Sequence, residues 1–385
     1  MSFKGFLRPD GKVGVRNHVL IVPTIVCANH VSERIAEEVR GAVALEHPLG
    51  CGQIGADFEQ TVRTLGGMGA NPNAGAVLLV SLGCEEVPVD SLRKSISLCK
   101  KPVETIVIQE LGGTSAAVRK GVQVARALAG KIRGARRERF PISRLTVGLE
   151  CGGSDATSGI AANPVVGWVA DRVVSLGGSV VLSETTEMIG AEHILARRCR
   201  SKGVARKLLD FVYSVEQGAI AMGVDIRGAQ PGPGNMAGGI STIEEKSLGC
   251  VYKAGTSAIE DVLSYGSQIE GKGLFVMDTP GQDVESVSGM LAGGCTIVLF
   301  TTGRGTPTGS PIAPVVKITG NPHTWATMKE NIDFDASPLF THGAPLPRLG
   351  DALLRVLLRT ASGRKTRSEV LGHVEFAITR CGPTI

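Results

Sequence analysis

The chain has 385 residues, and its 41 Lys and Arg against 36 Asp and Glu give a formal net charge of +5, a length beyond one ordinary hydrophobic core that excludes a single small module. Glycine occupies 51 positions, nearly double the roughly 7 % of an average chain, with no Gly-X-Y period to suggest collagen. With 43 % of residues apolar and 20 % charged the chain is not disordered, so its glycines must serve turns and close backbone approaches within a packed fold.

Short apolar runs rich in Val, Ile and Leu alternate with glycine turns and helical periodicity, the pattern of βα units on parallel sheets. A strand over Val19–Cys27 precedes a helix over Val31–Arg40, and a short apolar run, Ala42–Leu45, follows. A strand over Ala76–Cys84 precedes a helix over Val89–Cys99, and Val103–Gln109 leads through Gly112–Thr114 into a helix reaching Gly130. The run Lys131–Arg139 concentrates five basic residues without interleaved aromatics and reads as a solvated connector, not a nucleic-acid surface. Alternation resumes with a strand over Leu145–Cys151, a helix over Pro164–Leu176, a strand over Ser179–Leu182 and helices over Ala191–Cys199 and Val204–Met222. Ile226–Lys253 packs Pro231, Gly232, Pro233, Gly234, Gly238 and Gly239 into nine positions and reads as a long irregular loop, which in a compact domain is usually functional. Strands over Gly273–Asp278, Thr296–Thr301 and Val315–Thr319 and an amphipathic helix over Asp351–Thr360 complete the series. The expected fold is α/β, with two lobes on mostly parallel sheets, Rossmann-like without a dinucleotide motif: residues 1–135 form an N-terminal lobe and 140–385 a C-terminal lobe with glycine-rich active-site loops.

No apolar stretch approaches the roughly 20 residues that span a bilayer, and Met1–Gly14 has no apolar signal region. A cytoplasmic protein is expected, with neither membrane nor nucleic acid as partner. Nine cysteines without a Cys-x-x-Cys pair speak against a disulfide framework, a thioredoxin motif and a zinc finger. Cys27, Cys84 and Cys151 each close a predicted strand, and Cys51 sits in the turn His47–Gly52. Ligands of open parallel sheets bind at the carboxyl ends of strands, where these thiols could serve as soft ligands for iron, an iron–sulfur cluster or zinc, or simply pack.

Carboxylates also gather at strand ends. Glu184 and Glu187 precede Gly190-Ala191-Glu192-His193, and Asp278 opens the turn Asp278–Asp283, in which Asp283 is read as a helix cap. The loop Thr301–Thr306 carries Arg304 between Gly303 and Gly305, a fork and backbone N–H groups suited to a carboxylate; Arg16 is a weaker candidate of the same kind. Lys246, beside Glu244 and Glu245, is a base if partly buried and otherwise a solvated lysine. A carboxylate clamp, acid–base groups and a Lewis acid are what dehydration of a hydroxy acid needs.

The segments GKVGVRN (Gly11–Asn17), PLGCG (Pro48–Gly52), LGCE (Leu82–Glu85), LECGGSD (Leu149–Asp155), SETTEMIGAEH (Ser183–His193), PGNMAGGISTIEEKSLG (Pro233–Gly249), MDTPGQD (Met277–Asp283) and FTTGRG (Phe300–Gly305) resemble the altronate and galactarate dehydratases over about Gly5 to Leu354. That resemblance implies dehydration of a sugar acid to a 2-keto-3-deoxy acid with a divalent metal, iron as Fe²⁺ or an iron–sulfur cluster, with Mn²⁺ or Mg²⁺ as alternatives. Carried onto this chain it implies Lys246, His193, Glu184, Glu187 and Asp278 as catalytic groups. It implies Cys27, His47, Cys51, Cys84 and Cys151 as metal ligands. Arg16, Asn17, Ser154, Asp155, Asn235 and Arg304, with Gly303 and Gly305, would bind substrate. Many members of that family carry a small SAF-type domain ahead of this region, so the chain resembles a large subunit with a separate small partner, in a homo-oligomer. Pro311–Asn321 and Thr360–Phe376 look more like the large subunit of sulfolactate sulfo-lyases, which eliminate sulfite; the strand-end thiols favour a dehydratase. A partner that only binds a sugar acid is the third reading.

Overall fold

The computed structural model describes residues 1–385. In chain order the N-terminal part runs β1 (Ser2–Leu7), β2 (Val13–Gly14), β3 (His18–Pro23), α1 (Asn29–Glu37), β4 (Ala42–Ala44), α2 (Gly55–Ala70), β5 (Ala74–Ser81), α3 (Val89–Ser97), β6 (Val103–Val107) and α4 (Thr114–Ile132). β7 (Glu138–Pro141) and β8 (Thr146–Cys151) follow, then α5 (Asn163–Ser175), β9 (Ser179–Leu182), α6 (Glu192–Ala196), α7 (Lys202–Ala221), α8 (Ile226–Ala229), α9 (Pro233–Ala237) and α10 (Ile243–Val251). The remainder is β10 (Ile259–Leu263), β11 (Gly273–Met277), α11 (Asp283–Ala292), β12 (Ile297–Thr301), β13 (Val315–Thr319), α12 (Pro322–Thr327), β14 (Phe334–Asp335), α13 (Pro338–Thr341), α14 (Leu346–Ala361) and α15 (Arg367–Leu371).

Two parallel sheets carry the architecture, as the βα pattern requires. One has the order β4-β3-β5-β6 and the other β10-β11-β9-β8-β12-β13-β14. Every pairing within them is parallel. β5 is buried along its whole length, which explains its unbroken apolar run: helices cover both faces of such a strand. In the smaller sheet β3 and β5 are neighbours whose chains then lead away to opposite sides, and in the larger sheet β8 and β12 stand in the same relation. A crevice opens at the carboxyl ends of strands at each such switch point.

Three features depart from the sequence reading. The stretch expected as one irregular loop, Ile226–Lys253, contains α8, α9 and α10. Side-chain caps start two of these helices: Asp225 accepts from Arg227 N, and Thr242 from Glu245 N, so local hydrogen bonding overrides the glycine and proline content. The second is α2, a 16-residue helix hidden in the sequence by its glycines. At Gly67 a Cβ would run into the backbone carbonyl of Ala292, and the missing side chain lets α2 lie against α11. The third is an antiparallel sheet, β2-β1-β7, in which Glu138–Pro141 of the basic connector pairs with Ser2–Gly5. Arg137 is not simply solvated: it lies over the Phe6 ring at 4.6 Å and donates to the carbonyls of Lys4 and Val15.

One apolar cluster contains Leu20, Leu65 and Met68 together with Phe275, Met290 and Val298, so side chains from both parallel sheets and their helices share a core. No helix is long and apolar enough to cross a membrane.

Candidate active site

The larger sheet's switch point is built by the loops after β8 and β12. β8 ends at Cys151, and Gly152 and Gly153 turn the chain to Ser154 and Asp155. Asp155 is buried and its carboxylate is fully engaged. Oδ1 accepts from Thr157 Oγ1 at 2.6 Å and Ser158 N at 3.1 Å, and Oδ2 from Asn321 Nδ2 at 2.8 Å. A side chain at either Gly303 or Gly238 would collide with it, so both glycines are needed for the loops to meet. Asn235 donates to Ser154 O at 2.9 Å and Arg304 to Gly234 O at 2.8 Å. The structure thus brings together Ser154, Asp155, Asn235, Gly303 and Arg304, with Asp155 as the hub that shapes the loops.

α10 packs beside them. Gly249 faces Gly159 closely enough that a Cβ on either would touch the other's Cα. Asn163 fastens the contact, donating to Gly249 O at 2.8 Å and accepting from Thr301 Oγ1 at 2.6 Å. A cavity of about 170 Å³ remains between these parts, lined by Ser154, Asp155, Asn163, Lys246 and Cys250 among others. The Lys246 Nζ lies 2.9 Å from Glu187 Oε1 and donates to Gln230 Oε1 at 2.9 Å, and its side chain is only 11 % exposed. Burial opposes the charge on Lys246, but the carboxylates of Glu187 and Glu184 overcome it and raise its proton affinity above that of a free lysine. Burial likewise raises the Glu187 carboxyl, whose Oε2 is buried without a hydrogen-bond partner.

Behind this pair lies a second group of buried polar side chains. Glu184 holds a left-handed backbone conformation, φ 68°, fixed by its N–H donating to Thr279 Oγ1 at 2.7 Å. Its carboxylate pairs with Lys253, and both side chains are fully buried. Glu150, also wholly buried, accepts from Ser183 Oγ at 2.9 Å and Ser286 Oγ at 2.6 Å; burial and then Glu184 raise its pKa well above the carboxylate range. Asp278 accepts from Thr185 Oγ1 at 2.6 Å. Asp283 leads α11 with its carboxylate against Gly152, and burial together with Glu184 and Glu187 pushes its pKa up to about 7.

Sequence reasoning missed Glu150, Cys250, Lys253 and Asn163, and treated Asp283 as a cap only. Glu150 carried a signal, a charged residue inside the apolar strand VGLEC; Lys253 and Cys250 lay in the stretch read as a loop. His193 is exposed on α6 and does not line the cavity. Arg16 and Asn17 stand at the amino end of β3, away from either switch point. Arg16 is ion-paired with Glu369 at 2.6 Å and donates to the carbonyls of Val15, Thr360 and Arg364. Asn17 accepts from Arg8 at 2.7 Å and donates to Ile132 O at 3.1 Å.

The expected metal ligands divide between the two sheets. Cys27, Cys51 and Cys84 are exposed free thiols on the loops that follow three neighbouring strands, β3, β4 and β5, where Thr24 Oγ1 donates to Glu85. Their donor type suits a soft metal. His47 offers no free nitrogen, because Nε2 donates to Pro23 O at 2.8 Å and Nδ1 accepts from Leu49 N at 3.2 Å. Cys151 lies instead at the end of β8, and the one group of three ligand atoms within 4.8 Å of one another is Cys151, Glu184 and Cys250.

Residues 142–384 match the family model described as D-galactarate/altronate dehydratase, C-terminal, and residues 5–133 match D-galactarate dehydratase/altronate hydrolase, second domain. The chain is 39 % identical to an altronate dehydratase of Escherichia coli K12 over 391 residues, covering 99 % of this chain and 78 % of that protein. It is 37 % identical to an altronate dehydratase of Bacillus subtilis 168, covering 100 % and 78 %. It is also 38 % identical to the (2R)-sulfolactate sulfo-lyase subunit beta of Chromohalobacter salexigens, covering 98 % and 97 %. The chain therefore belongs to the D-galactarate/altronate dehydratase family and is an enzyme of the hydro-lyase type.

Proposed function

We propose that this enzyme removes water from a sugar acid of the altronate or galactarate kind, giving a 2-keto-3-deoxy acid, in the cavity between α10 and the segment that follows β8. The observation that carries this reading is the buried pair of Glu187 with Lys246, the latter at the cavity wall. Lys246 holds its proton more tightly than a free lysine, and Glu187, whose Oε2 is buried without a hydrogen-bond partner, is the carboxylate able to take the α-proton while the neighbouring ammonium stabilises the charge that develops. The 3-hydroxyl then leaves as water, taking up a proton equivalent to the one removed from the α-carbon, and the enol that remains tautomerises to the 2-keto acid. Arg304 is the group assigned to the substrate carboxylate; the N–H groups of Gly303 and Gly305, expected to share that task, are spent instead on Gly153 O at 3.2 Å and Thr302 Oγ1 at 2.9 Å.

Cys27, Cys51 and Cys84 are the residues assigned to an iron or iron–sulfur centre, with thiol chemistry and exposure as the support. When bound, such a centre would supply Lewis acidity at the carboxyl end of the smaller sheet. A separate small subunit is proposed as partner, on the ground that the sulfo-lyase relative is itself a subunit.

A second reading, elimination of sulfite from sulfolactate, is favoured by the 38 % identity to that subunit. Anaerobic enzyme, alone and with a candidate small subunit, should be incubated with altronate, galactarate and sulfolactate while 2-keto acid and sulfite are measured. Keto acid from a sugar acid supports the first reading; sulfite from sulfolactate alone replaces it with the second.

A further inference from the structure

By donor type, Cys151, Glu184 and Cys250 match a zinc or iron site, with ligand atoms within 4.8 Å of one another. Lys253 closes it. Its Nζ lies 3.0 Å from the Sγ of Cys151 and 3.0 Å from that of Cys250, and it is hydrogen-bonded to Glu184 Oε2. An ammonium has three N–H donors and no acceptor; here it meets three acceptors, all buried. The protonation pattern agrees with this. Burial opposes the charge on Lys253, yet Cys151, Cys250 and Glu184 raise its proton affinity well above that of an ordinary lysine. Cys151 is held as a thiol by its contact with Cys250, 3.7 Å away, and by burial. A divalent ion among these donors would have to displace the ammonium, which sits 3.0 Å from each sulfur, or face its positive charge at close range.

The cluster also joins the parts of the candidate active site. Cys151 ends β8, Glu184 follows β9, Cys250 lies in α10 and Lys253 follows it. Glu184 Oε2 further accepts the Cys151 N–H at 2.9 Å, so a single carboxylate anchors both the start of the Gly152–Asp155 turn and the end of the helix that carries Lys246.

We propose that Lys253 is the resident cation of this cluster, standing where a metal would stand between Cys151, Cys250 and Glu184, and that it is a positioning residue for Lys246. The positioning role rests on the dehydratase reading; the occupation of the cluster does not.

Anaerobic titration with cobalt(II) tests the occupation, because cobalt held by thiolates gains a charge-transfer absorption. The wild-type protein and Cys250→Ser should give the same spectrum, any band from the exposed thiols being common to both. Lys253→Ala should gain a band that the double variant Lys253→Ala/Cys250→Ser lacks. A wild-type band that Cys250→Ser removes would overturn the proposal, and so would a folded Lys253→Ala that gains none; if that variant does not fold, the wild-type comparison alone decides. On the sugar acid that the wild-type enzyme converts, folded Lys253→Ala should lose kcat by about a hundredfold with little change in KM, as expected for a displaced catalytic group. Unchanged kcat overturns the positioning role. If no sugar acid is converted at all, the dehydratase reading fails while the cobalt comparison still stands.

Discussion

Lys246, at the wall of a cavity, holds its Nζ 2.9 Å from Glu187 Oε1, with both side chains almost wholly withdrawn from water. Each raises a different expectation for pH. The pair must hold one proton in an arrangement that can take a second from substrate, so the acid limb of kcat/KM should report a macroscopic titration of the pair. Burial raises the Glu187 carboxyl above its ordinary value, so this limb should lie above that of an exposed glutamate. Glu187→Gln should lower kcat by roughly a hundredfold or more and remove that limb; a variant with the wild-type profile would assign the limb to another group.

Asp283 should couple stability to pH. Its folded pKa is about 7, raised by burial and by Glu184 and Glu187, against roughly 3.9 in an unfolded chain. Between these values the folded state binds more protons, so its stability relative to the unfolded state falls as pH rises from about 4 to about 7. Asp283→Asn removes this term. Melting curves of the two proteins at pH 5 and pH 8 should show the variant gaining relative stability at pH 8, and a difference that does not vary with pH would contradict the assignment.

Gly67 holds α2 against α11, since a side chain there meets the carbonyl of Ala292. Gly67→Ala should cost about 1–3 kcal/mol, as overpacking does. Gly130→Ala, on α4 with nothing near the added atom, should be neutral or stabilising by up to about 1 kcal/mol from helix propensity. Equal effects in chemical denaturation would show that the close approach of the two helices is not what Gly67 serves.

Arg16 offers a test between binding and architecture. Its guanidinium faces Glu369 and three backbone carbonyls, so Arg16→Met should cost about 1–3 kcal/mol through the carbonyls and the partly buried carboxylate left without their donor. KM for the sugar acid should stay as in the wild-type enzyme. A large rise in KM without loss of stability would restore Arg16 to the substrate.

Much of the fold was legible because parallel strands announce themselves: Val315–Thr319 was bounded from its apolar run alone, and the buried stretch around Ala76–Val80 marked β5. What escaped were elements whose local composition says one thing and whose packing says another. The glycines of α2 suit a tight helix contact, and the pairing of β1 with β7 joins positions more than a hundred residues apart. At the site, motifs identified Glu184, Glu187, Lys246 and Asp155, yet not their division of labour. The ion pair of Glu184 with Lys253 and the use of Asp155 as a loop hub arise only when four strand ends and α10 converge. His47 shows the converse, a histidine in a conspicuous turn whose ring is spent on two backbone groups.

The most direct measurement of the proposed chemistry is a comparison of wild-type enzyme with Lys246→Ala, both anaerobic and supplied with iron and a candidate small subunit, converting altronate or galactarate to keto acid in deuterated water. The wild-type enzyme should form the 2-keto-3-deoxy acid, and Lys246→Ala, with its fold verified by circular dichroism, should lose both product formation and exchange of the α-hydrogen. Retained conversion by Lys246→Ala, or a wild-type enzyme that releases only sulfite from sulfolactate, would contradict it.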